Sequence, residues 1–144
     1  MSNFFGLLYE WFGLVPIYSK DLSEFLRGLD LACTGYWALP WYFYTGFMMV
    51  TLTIIIFALQ YDLISSIRFQ KQQHWALAAT TAILVNFAIA FTIPFVAQQT
   101  GVHCPLLKFS VLDCIGFGLS NAVWSFIFFS LLSGVQEIVG RVKK

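Results

Sequence analysis

The chain has 144 residues, of which 59% are apolar and only 10% are charged, with a net charge of +1. A water-soluble domain carries about 25% charged residues, so this composition leaves too little polar surface to cover a soluble core. A mean hydropathy of +0.77 points the same way, and the near-zero net charge gives nothing that would steer nucleic acid.

The N-terminal segment, residues 1–35, reads as two short amphipathic helices at a membrane surface. Over 3–14, Phe4, Phe5, Leu7, Leu8, Trp11 and Phe12 surround a helix interrupted by Tyr9 and Glu10 and stopped by Gly13 and Pro16. A dozen residues are too short to span. The segment reads equally as an in-plane anchor or as a terminal helix packed on a bundle. With residues 3–18 dipping into the bilayer it becomes a fourth, partial membrane helix. No basic n-region or small-residue cleavage site is visible, so the start is read as mature chain rather than as a signal peptide. Over 19–31, Leu22, Phe25, Leu26 and Leu29 share one face, and Ser23, Glu24, Arg27 and Asp30 the other. Asp21 is placed to cap this helix, with Glu24 at capping-box spacing.

Residues 36–144 read as a transmembrane helical bundle. Tyr36, Trp37, Trp41, Tyr42 and Tyr44 cluster around Pro40, a composition favoured where water meets acyl chains. The same rings suit a ligand cation, a less favoured reading beside an incipient span. Three spans follow, at about 41–60, 75–97 and 114–135. The stretch 75–97 has no charged side chain, and at about 1.5 Å per residue it covers about 34 Å, enough for a hydrocarbon core of roughly 30 Å. The β-branched run from Val50 to Ile56 does not argue for a strand, because a lone strand in lipid leaves its backbone unpaired. The fold expected is an all-α integral membrane protein with three spans.

Small residues recur at four-residue spacing. Ala78, Ala82, Asn86 and Ala90 form one stripe, and Cys114, Gly118 and Ala122 form another, with Asn121 and Ser125 beside it. Stripes of this kind let helix backbones approach closely, and an amide at membrane depth needs a partner. Ala78, Ala82, Asn86, Ala90, Gly118, Asn121, Ala122 and Ser125 are therefore the candidate helix-packing or pore-lining residues. The sharpest expectation is that Asn86 and Asn121 share a hydrogen bond, directly or through Ser125.

Chemistry-bearing motifs are sparse. Cys33, Cys104 and Cys114 have no metal-ligand spacing, and no cofactor fingerprint is present. A Cys104–Cys114 disulfide is the favoured use of the thiols. His103 beside Cys104 has the elements of an activated nucleophile, but adjacent residues rarely aim at one substrate. No ionisable group lies inside a span, unlike ion-coupled transporters. The loop 61–74 and the tail hold five Lys/Arg against three on the other side, which places the C-terminus in the cytoplasm of a cell (inner) membrane. The function expected is a small, non-enzymatic, multi-pass membrane protein that self-associates into an oligomer, with a pore as one use of it; its partners are the bilayer and copies of itself or other membrane subunits. The alternative is an anchor or assembly subunit of a larger membrane complex, with the partner held by residues 1–35.

Overall fold

In a computed structural model, residues 2–10, 17–38, 40–66 and 71–142 are described; the stretches 11–16 and 67–70 of the expected elements lie outside them. The described residues form five helices: α1 (Ser2–Tyr9), α2 (Lys20–Leu26), α3 (Trp41–Ser66), α4 (Lys71–Thr100) and α5 (Val111–Val142). Among them there is no strand, only an isolated antiparallel bridge between Leu29 and Tyr36. Three stretches are long and apolar enough to cross a membrane: Trp41–Gln60, Gln73–Thr100 and Val111–Gln136. The helices continue past the apolar stretches, because an α-helix satisfies its backbone internally whether lipid or water surrounds it.

The small stripes are used inside the chain. Ala82, Asn86 and Ala90 of α4 are fully buried, Gly118 and Ala122 of α5 are buried, and Ala78 is partly buried. Contact there is close. A Cβ added at Gly118 would lie 2.9 Å from the Phe87 ring of α4. At the far end of the same pair, the Trp75 indole donates to Ser133 Oγ at 2.9 Å, and Phe129 packs beneath it.

The N-terminal helix packs on the bundle. Its Phe5 ring occupies the space left by Gly46 of α3, where an added Cβ would meet ring carbons at 2.1 Å. Tyr9 is fully buried against Tyr42 and Phe117. The α1 carbonyls, unpaired at a helix C-terminus, find donors on α5: Trp124 Nε1 reaches Leu8 O at 3.0 Å and Ser120 Oγ reaches Tyr9 O at 3.4 Å.

The helix expected over 19–31 is shorter, and its cap differs. Ser19 is the N-cap of α2, with its Oγ accepting from Leu22 N, whereas Asp21 accepts from Lys108 N at 2.9 Å and so ties α2 to the α4–α5 connection. Gly28 ends the element at φ +89°, a left-handed conformation that only glycine adopts without strain. Asp30 then closes the turn by accepting from Thr34 N and Thr34 Oγ1. At the start of α5, Ser110 and Asp113 form a reciprocal capping pair, and Asp113 Oδ1 also accepts from Ser19 N at 2.8 Å.

Candidate functional site

Two polar clusters stand out in this apolar chain. The first lies at the centre of the bundle. Asn86 Nδ2 reaches Ser125 Oγ at 2.9 Å, Ala82 O at 2.9 Å and Thr53 Oγ1 at 3.2 Å. Thr53 and Ser125 hydroxyls bond each other at 3.2 Å. Asn121 Nδ2 donates to the backbone carbonyl of Asn86 at 2.7 Å, and its Oδ1 accepts from Tyr9 Oη. The two amide side chains therefore do not bond each other. Asn121 meets residue 86 through its backbone, and Ser125 serves the Asn86 side chain. Tyr9 and Thr53 complete the layer. Their sequence signals, a tyrosine in a short N-terminal helix and a threonine in a β-branched run, do not distinguish them from neighbours. Asn86 Oδ1 is buried with no hydrogen-bond partner among the described residues.

This layer is closed. Thr53, Asn86, Ser120, Asn121 and Ser125 all have 0% exposure, so none of them lines a surface of the chain. The outward-facing Thr81 and Thr92 hydroxyls instead bond carbonyls four residues back on their own helix.

The second cluster lies at the end of the bundle where α1, α2 and the α4–α5 connection meet. It corrects the expected disulfide: Cys33 pairs with Cys104 across 71 residues, and Cys114 is a free, buried thiol. Helix phase is the reason. Cys114 shares the inward face of Gly118 and Ala122, so its sulfur points into the helix-packing core. The connection carrying Cys104 instead folds toward the 29–36 turn. The pairing removes Cys104 as a nucleophile, and His103 Nδ1 lies 3.1 Å from Ala97 O with its ring against Phe109. Among the described residues no cluster of His, Cys, Asp or Glu has the makings of a metal site.

Beside the disulfide-tied turn is a cleft of ≈ 550 Å³, lined by Gly6, Leu7, Glu10, Arg27, Tyr36, Trp37, Ala38, Pro40 and Tyr42. Glu10 and Arg27 form an ion pair at 2.9 Å within it. Glu10 also accepts from Ser23 Oγ and from Tyr42 Oη. Partial burial pushes the Glu10 carboxyl up, but the hydrogen bonds from Arg27 and Ser23, the Arg27 charge and the Tyr42 hydroxyl outweigh it and hold the group below its ordinary range. The Glu10 hydrogen bond in turn raises Arg27. Tyr36 Oη donates to Glu24, whose other oxygen faces Arg27 at 3.7 Å. The sequence offered Glu10 only as a break in a hydrophobic helix, and Arg27 only as part of a solvated face.

Fold and site together define a small α-helical protein with three helices able to span a membrane and a polar cap at one end. No protein-family model, curated protein or solved structure matches the chain.

Proposed function

We propose that the chain is a non-enzymatic anchor or assembly subunit, with α3–α5 held in the bilayer and the capped end presented to a partner. The observation that carries this reading is the enclosure of Asn86, Asn121 and Ser125 within one chain. A lining for a shared pore needs such groups on an outer face, and self-association through the small stripes needs them unoccupied. Both uses compete with the packing of α4 on α5. The cap has what a docking end needs: a charged cleft, exposed Tyr36, Trp37, Trp41 and Tyr44 around it, and a covalent tie that holds its two turns together.

Two features support an orientation with the cap outside and the C-terminus in the cytoplasm of a cell membrane. Disulfides persist in oxidising compartments, and the basic residues favour the C-terminal side by five to three. A membrane-impermeant maleimide should label Gln99→Cys in intact cells and spare Lys143→Cys; the opposite pattern inverts the orientation.

The functional reading is tested by purifying the chain in detergent, measuring its mass, and assaying solute flux after reconstitution in liposomes. A single copy without flux is expected. A discrete homo-oligomer that conducts would overturn the reading in favour of a pore.

A further inference from the structure

We infer that the cleft between α1, α2 and the start of α3 binds the headgroup of one zwitterionic phospholipid. The inference rests on the reading above that α3–α5 lie in a bilayer, and it names a ligand for the cap.

Size comes first. At ≈ 550 Å³ the cleft falls within the range of about 300–1,000 Å³ typical of small-ligand sites. Its charges come next. Glu10 and Arg27 face it as a pair, and Glu24 stands behind Arg27. A lone anion would sit beside Glu10 and Glu24, and a lone cation beside Arg27. A ligand with one charge of each sign matches the pair without leaving either charge opposed. Arg27 still has capacity for the anionic half. Its side chain is 50% exposed, its Nε and Nη2 are taken by Glu10, and among the described residues its Nη1 has only the Glu24 oxygen at 3.7 Å, beyond hydrogen-bond range. The cationic half meets aromatic walls. Trp37 is 63% exposed and Tyr36 61%, and an indole face is the best side-chain partner for an ammonium group.

Position separates a lipid from a soluble zwitterion. Pro40 and Tyr42 stand at the start of α3, where the first apolar span begins. Gly6, where an added Cβ would lie 3.6 Å from the Tyr42 ring, and Leu7 line the cleft beside them, and the exposed Leu7 and Phe4 continue it as apolar surface along α1. One end of the cleft is thus charged and the other opens onto apolar helix. Phosphate and ammonium fit the charged end, and acyl chains can leave along α1 and α3.

The test uses the full chain, delipidated in detergent and followed by native mass spectrometry. It is titrated with phosphatidylethanolamine, phosphatidylcholine and phosphatidylglycerol of identical acyl chains, and with free phosphoethanolamine. One zwitterionic lipid per chain should be retained, at least about fivefold more tightly than phosphatidylglycerol. Trp37→Ala should weaken retention by about fivefold, as expected for loss of one partly desolvated cation–π contact, and Trp37→Phe should restore part of it. Arg27→Gln removes the phosphate contact that all three lipids share and leaves Glu10 and Glu24 in place, so it should weaken retention of each lipid while phosphatidylglycerol stays the weakest. Because Trp37 is exposed, its replacement leaves the fold intact even if Arg27→Gln does not. Equal retention of phosphatidylglycerol, or wild-type retention by Trp37→Ala, would reduce the lipid to a nonspecific annulus and overturn the proposal. Free phosphoethanolamine binding as tightly as the lipid would overturn it in favour of a soluble ligand. Failure of the membrane reading itself shows separately, as a chain that does not float with liposomes.

Discussion

The bundle centre and the cap solve the same problem in opposite ways. Both must hold helices in register where apolar packing is non-directional. The centre uses only neutral groups: two amides, three aliphatic hydroxyls and one phenol, all fully buried. The cap uses full charges and a covalent bond. The surroundings explain the division. An isolated charge at membrane depth is expensive, whereas an amide or hydroxyl finds partners there at modest cost. At the bundle end the Arg27 and Glu10 side chains are 50% and 24% exposed and paired with each other, so a carboxylate and a guanidinium can be kept. The lesson is that specificity in this chain follows local dielectric: neutral networks set helix register in the middle, and ions and a disulfide set loop position at the end.

The largest expected effect breaks the cap. Cys33→Ala with Cys104→Ala removes a tie across 71 residues and should cost about 2–4 kcal/mol, read as a lowered thermal midpoint in detergent. If the centre holds register independently, far-UV circular dichroism of the variant at 20 °C should match wild type. Loss of helix at that temperature would show that the two regions do not act separately.

A smaller effect sharpens the picture of the centre. In a double-mutant cycle, Asn86→Leu and Ser125→Ala should couple by about 0.6–1.7 kcal/mol, the range of hydrogen bonds between membrane helices. Asn86→Leu with Asn121→Leu should couple less, because the Asn121 amide donates to the backbone of residue 86, which leucine retains. Asn86→Leu also removes a buried oxygen that has no partner among the described residues, which offsets part of its cost. Equal coupling in the two cycles would contradict this bond pattern.

The smallest effect is acid sensitivity of the cap. The folded Glu10 pKa lies below its ordinary 4.5, so the unfolded chain takes up a proton first as pH falls. The stabilisation is therefore complete above pH 4.5 and is lost as pH drops through the folded value. The thermal midpoint should be flat from pH 7 to about 5.5 and decline below about 4.5. Glu10→Gln should flatten the low-pH slope. An unchanged slope in that variant would move the acid sensitivity to another carboxylate.

Much of this was readable from residue order. Length and hydrophobicity alone give three apolar helices, because a backbone in hydrocarbon must satisfy itself and leaves helix as the choice. Four-residue spacing marked Ala82, Asn86 and Gly118 as members of stripes, since helix geometry maps that spacing onto one face. Which surface each stripe would meet was not readable: the same small residues suit a neighbour in the chain or a second copy, and only the packing of α4 on α5 decided it. The partner of Cys104 was decided the same way. Sequence proximity favoured Cys114, yet helix phase turned that thiol inward and the folding of two connections brought Cys33 from 71 residues away. Glu10, Arg27 and Trp37 form a cleft only because α1 packs on α3 and α5 while Asp21, Asp113 and the disulfide pin the turns around α2. Local chemistry sets what an element is, over a few residues at a time. A site made from three separate segments depends on where those elements come to rest, and that is a property of the assembled chain.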